Sequence, residues 1–110
     1  MISTEDGEAL AEEHGVADSF LSRALGVMFR RTFPGDALVF EFSRERRVGI
    51  HTVFVFFPLD VLFLDDEGVV VSKRTLRPWI GFASAHASTV VEMPAGAAED
   101  IEEGDRLVFE

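Results

Sequence analysis

Apolar and polar residues alternate most plainly after the turn signal Pro34-Gly35-Asp36, where Leu38, Phe40 and Phe42 fall on one side of an extended chain and Val39 and Glu41 on the other. That period of two predicts a half-buried strand over 37–42. The stretch 43–49 is polar and rich in arginine, and is expected to be a loop. Branched and aromatic residues dominate 50–57, 61–65 and 69–73, so these are expected strands, the last two divided by Asp66-Glu67-Gly68. Closing strands are expected over 89–93 and 106–109, separated by a polar stretch, 97–103, that is long enough for one helical turn. Near the start, Asp18 is suited to N-cap a helix over 19–25 in which Phe20, Leu21, Ala24 and Leu25 recur at helical spacing and Gly26 ends the run. Residues 1–15 read as a short helix over 8–14 closed by Gly15, as an edge strand, or as a tail. Together the pattern predicts a mainly β domain, a compact barrel or sandwich with one short N-terminal helix. No repeat, low-complexity tract or linker divides the chain, so 1–110 is expected to be one domain.

Eleven Phe and one Trp give this domain enough large apolar surface for a core. Cysteine is absent, which excludes disulfides, thiolate metal sites and cysteine nucleophiles. Twenty acids face ten cations for a formal charge of −10, and Lys73 is the one lysine. Self-repulsion of that size is screened within about 3 Å at molar salt, so the composition suits a salt-rich, halophile-like cytoplasm. The thermal unfolding midpoint is accordingly expected to rise from low to molar salt. A midpoint that stays flat or falls in a salt series would remove the halophilic reading.

The charge is uneven: residues 1–29 carry −5, residues 30–77 carry +1 and residues 78–110 carry −6. A nearly neutral, strongly apolar middle lies between acidic flanks, and nucleic acid is not an expected partner. The apolar run 50–64 contains Pro58 and Asp60 and falls short of the roughly twenty residues a membrane helix requires. Met1-Ile2-Ser3-Thr4-Glu5-Asp6 has neither the basic nor the apolar region of a secretory signal, so the expectation is cytoplasmic, without membrane attachment.

Three blocks occur in order: Arg23-Ala24-Leu25-Gly26-Val27-Met28-Phe29-Arg30, Phe57-Pro58-Leu59-Asp60-Val61-Leu62-Phe63-Leu64-Asp65, and Val90-Val91-Glu92-Met93-Pro94-Ala95-Gly96 with Gly104-Asp105. Together they resemble the domain-of-unknown-function 192 family, over about 16–109. The resemblance implies a mostly β, barrel-like domain with a short helix before the Gly-Val-Met segment, and it implies no activity. Val27 and Met93 stand where the family usually has Leu. His51-Thr52-Val53-Phe54-Val55 replaces the bacterial Trp-Met-Lys-Asn-Thr, so any polar site built there in bacterial members is altered here.

Asp60 is the most informative position, a carboxylate inside an apolar run that requires a partner if buried. Arg23 and Arg30 are the expected partners for Asp60 or for Glu92, which lies in a similar apolar setting. An ion-pair lock is the structural reading, and an anion site or general base at Asp60 or Glu92 is the functional one. His14, His51 and His86 show no metal-binding spacing, so neither metal nor cofactor is expected. Arg44, Arg46 and Arg47 form a local cationic segment. Trp79 is placed either to cap the core or to line a pocket mouth. The preferred function is a binding or interaction module for an unknown small molecule or protein, with Trp79, His51 and nearby Phe residues, together with Arg23 and Arg30, as ligand-binding candidates. The alternatives are a small hydrolase or lyase with Asp60 or Glu92 as base, and a structural subunit; the oligomeric state is open.

Overall fold

A computed structural model describes residues 2–4, 9–11, 14–17 and 36–109. The described residues form eight strands: β1 Ile2–Thr4, β2 Ala9–Ala11, β3 His14–Ala17, β4 Ala37–His51, β5 Leu59–Leu64, β6 Val70–Leu76, β7 Phe82–Pro94 and β8 Leu107–Phe109. They form a three-stranded sheet, β2-β1-β8, and a five-stranded sheet, β3-β4-β7-β5-β6. All described pairings are antiparallel except β3 with β4.

The mainly β expectation holds, with two open sheets in place of a closed barrel. Among the described pairings of the larger sheet, β3 bonds only to β4 and β6 only to β5, so the two edges do not meet. Of the helix, edge strand and tail left open for 1–15, the described residues there are strands. Ala9–Ala11 and His14–Ala17 are strands, because pairing with β1 and β4 overrides a weak local helical preference. The expected helix over 19–25 lies outside the described residues, as do Arg23 and Arg30.

Two apolar layers flank the larger sheet. On one face Val39, Leu62, Leu64, Val91 and Met93 pack with Ile2 and Leu107 of the smaller sheet and with Ala98 and Ile101. On the other face Phe40, Leu59, Val61, Phe63 and Val90 pack with Val48, Val55, Leu76, Ala83 and Ala87. β5, between β7 and β6, is buried at all six positions because its alternate residues feed both layers. Each fully buried Leu, Val or Phe stabilises by about 1.5–3 kcal/mol, which explains why this run reads as continuously apolar.

The segment 43–49 is strand, correcting the expected loop. Four residues of β4, 42–45, stand opposite Ser88 alone, because the register shifts between Glu41 and Arg46. The extra residues bend the ladder, and 46–51 then pairs with 82–87 as a two-stranded ribbon. Val48, Ala83 and Ala87 face the second apolar layer, while Arg47 and His51 are exposed. The second half of the run 50–57 is likewise not the expected strand: beyond His51 the chain turns.

Candidate functional site

Thr52 organises the end of the ribbon. Its side chain is fully buried, and its hydroxyl donates to the Arg77 carbonyl at 2.6 Å while accepting from the Gly81 amide at 2.6 Å. Its amide donates to the Gly81 carbonyl, and its own carbonyl accepts from the amides of both Val55 and Trp79, at 2.9 Å each. One buried threonine thus fastens the loop 52–57 to the loop 77–81. The approach is close enough to require glycine at 81, where a Cβ would lie 2.7 Å from Leu76 Cβ and 2.8 Å from the Arg77 carbonyl oxygen.

Both loops carry large aromatics at backbone positions that favour glycine. Phe54, with φ 63°, is the third residue of the turn closed by the Val55 amide on the Thr52 carbonyl. Trp79, with φ 69°, is the centre of a three-residue turn closed by the Ile80 amide on the Pro78 carbonyl, the rare strained form of the γ-turn. Each conformation costs of order 1–2 kcal/mol for a side chain with a Cβ. Their side chains do not recover that by burial: Phe54 and Trp79 are 40% and 44% exposed. Trp79 meets Phe54 and Phe56 edge-on, with centroids 5.1 and 5.4 Å apart. Ile80 and Phe82, 76% and 64% exposed, extend the surface, and Phe82 lies against Gly49. Trp79 is therefore an exposed aromatic outside both core layers rather than a core cap.

His51 pairs with Phe82 across the ribbon and is exposed beside this surface. Its Nδ1 accepts the Val53 amide at 3.2 Å, which leaves Nε2 to carry the proton of the neutral ring. Arg47, four residues earlier, donates to Ser84 Oγ at 3.0 Å, and Arg46 lies over the Phe42 ring. Among the described residues no group of three or more histidine or acidic side chains is placed to hold a metal ion.

The two candidate carboxylates do not converge. Asp60 pairs with Met93, and Glu92 pairs with Val61, so register places them on opposite faces of the larger sheet. Asp60 is 2% exposed; Oδ1 accepts from the Thr75 hydroxyl at 2.7 Å, and Oδ2 accepts from the amides of Gly96 and Ala98 at 2.9 and 3.1 Å. Its hydrogen bonds within the described residues thus come from a hydroxyl and the 95–98 turn rather than from an arginine. Glu92 is 5% exposed, between Leu38 and Val61 on the neighbouring strands, and its Oε1 has no hydrogen-bond partner among the described residues. Burial raises its pKa from 4.5 to about 7. Sealed among apolar side chains, this carboxyl holds its proton to a higher pH than an exposed glutamate does.

The residues thus define a two-sheet β domain with an exposed aromatic surface fixed at one end of a ribbon. The chain belongs to the DUF192 family, described as Uncharacterized ACR, COG1430, whose model matches residues 1–109. A UPF0127 protein of Pyrococcus horikoshii is 43% identical over 97 residues, covering 84% of this chain and 83% of its own length. One from Pyrococcus furiosus is 35% identical over 112 residues, covering 97% and 95%. Among solved structures, a Sinorhizobium meliloti protein named as a candidate transcription regulator superposes with a TM-score of 0.81 at 24% identity, covering 97% of this chain and 88% of that one. A protein of unknown function from Novosphingobium aromaticivorans gives 0.77 at 22% identity, covering 87% and 74%. At these identities the two structures establish the fold alone.

His51 and Trp79 are exposed on two segments that Thr52 joins, whereas Asp60 and Glu92 lie in separate layers. Phe54, Phe56, Ile80 and Phe82 complete the surface, and only the Phe residues of the 50–64 run had a signal in the sequence. Ile80 and Phe82 carried none, because apolar residues ordinarily indicate burial.

Proposed function

We propose that this protein is a binding module whose contact surface is formed by Phe54, Phe56, Trp79, Ile80 and Phe82, with His51 at its edge. The observation that carries the reading is the placement of Phe54 and Trp79: two bulky aromatics held at left-handed backbone positions with their rings toward solvent. Backbone strain combined with exposed apolar area has no benefit for folding and is accounted for by contact with a partner. Aromatic anchors of this type dominate binding energy at interfaces.

Glycine at these positions relieves the strain while removing the contact surface. The Trp79→Gly and Phe54→Gly variants are expected to unfold within about 1 kcal/mol of the parent, since the lost ring contacts and added chain entropy offset the strain released. A loss of several kcal/mol in denaturant titrations would assign the aromatics to the fold instead. In an NMR screen of small apolar fragments, backbone shifts are expected to concentrate at 51–56 and 78–82 and to disappear in Trp79→Gly. Hits concentrated around Glu92 would favour an enzyme.

A further inference from the structure

The aromatic surface is also electrically distinct. Segments 46–59 and 69–91 contain none of the chain's twenty acids, although sixteen of their positions are exposed. They hold Arg46, Arg47, Lys73, Arg74 and Arg77, five positive charges in a chain whose total is −10, which leaves −15 on the rest. The fold brings the two segments together: Arg47 pairs with His86 and His51 with Phe82 across the ribbon, and Thr52 binds the Arg77 carbonyl and the Trp79 amide. Lys73 is committed to the Ile101 carbonyl at 2.7 Å, whereas Arg46, Arg47, Arg74 and Arg77 are exposed. The apolar surface thus rises from two segments that carry five cations and no acid on an otherwise strongly acidic molecule.

Resting on the binding reading above, we propose that this surface docks a short acidic segment of a partner protein. Its apolar side chains would lie on Phe54, Phe56, Trp79, Ile80 and Phe82, and its carboxylates would meet Arg47 and Arg77. Charge complementarity selects the occupant. The molecule measures only 35 × 26 × 22 Å, so an extended polyanion running past the patch meets the remaining −15. A short segment stays on these two basic segments, where attraction acts within a Debye length of about 8–10 Å. Arginine beside exposed tryptophan and phenylalanine is also the composition of protein-binding hot spots.

The full chain would be used to select peptides from a random displayed library at physiological salt, and enriched peptides would be titrated while following the fluorescence of Trp79, the sole tryptophan. Enriched peptides are expected to be net acidic with aromatic or aliphatic residues, and to bind more weakly as salt rises. The double variant Arg47→Glu, Arg77→Glu should weaken them by about tenfold or more. If that variant does not fold, Arg47→Gln with Arg77→Gln should give a smaller loss in the same direction. Neutral or basic peptides, or binding indifferent to both arginine variants, would overturn the acidic partner and leave the aromatic surface standing. Peptides insensitive to Phe54→Gly with Trp79→Gly, or no enrichment, would overturn both readings. Tighter binding of phosphatidylglycerol vesicles or a single-stranded oligonucleotide to the same surface would show that the occupant is not a peptide.

Discussion

Replacing Glu92 by glutamine is expected to stabilise the protein by about 3 kcal/mol at pH 8 and by almost nothing at pH 4. The buried carboxyl titrates near 7 in the folded protein against 4.5 in the unfolded chain, because burial disfavours its charge. Below 4.5 the group is protonated in both states and costs the fold little. Between 4.5 and 7 the unfolded chain releases its proton while the folded protein retains it, so stability declines by about 1.4 kcal/mol per pH unit. Above 7 the loss is complete, of order 3 kcal/mol. Glutamine keeps the shape and cannot ionise, so the variant-minus-parent difference should grow across that window and then level. Denaturant unfolding of both proteins from pH 4 to 8 measures it, and subtraction cancels the other carboxylates. A constant difference with pH would mean that Glu92 is ionised and compensated in the native state.

The strands were legible in the sequence wherever side-chain pattern and backbone pairing agree. Alternation in 37–42 and the branched, aromatic composition of 61–65 and 69–73 mark parts of β4, β5 and β6, since burial demands these residues there. Pattern failed on either side of Ile50, in opposite senses. Residues 43–49 are polar yet extended, because the small residues of β7 accept them in a ladder whose exposed face suits arginine. Residues 53–57 are apolar yet leave the sheet, and the turn at 52–55 carries no Gly, Asn or Asp to announce it. That missing turn signal and the proposed contact surface have one origin: phenylalanine occupies a position where a structural turn would take glycine.

Asp60 and Glu92 illustrate the limit at candidate-site level. Both stand within apolar runs, and nothing local distinguishes them. Register does: with Asp60 opposite Met93, the neighbouring Glu92 must face the other layer. The 95–98 turn supplies amides on the Asp60 side, while Glu92 stands between Leu38 and Val61. A pairing register is a long-range property, so it could not be read from either run alone.

The Asp60→Ala variant is expected to lose about 3–5 kcal/mol, and Asp60→Asn markedly less. Alanine strands the Gly96 and Ala98 amides, the latter buried, and leaves the Thr75 hydroxyl without its acceptor. Each buried donor left unsatisfied costs about 1–3 kcal/mol, and charge-assisted bonds lie toward the upper end. Asparagine can turn its carbonyl oxygen to the two amides and donate its NH2 to the Thr75 oxygen, because that hydroxyl can rotate to accept. Its cost is then the lost charge assistance, about 1–2 kcal/mol. The Thr75→Val variant removes one bond at the sheet edge and should cost about 1 kcal/mol, with most of that effect absent in the Asp60→Ala background. Equilibrium unfolding of the four proteins and of the double variant measures every leg of the cycle. An asparagine variant as damaged as the alanine one would mean that the negative charge itself is required, and an alanine variant within about 0.5 kcal/mol of the parent would show that the turn does not depend on Asp60.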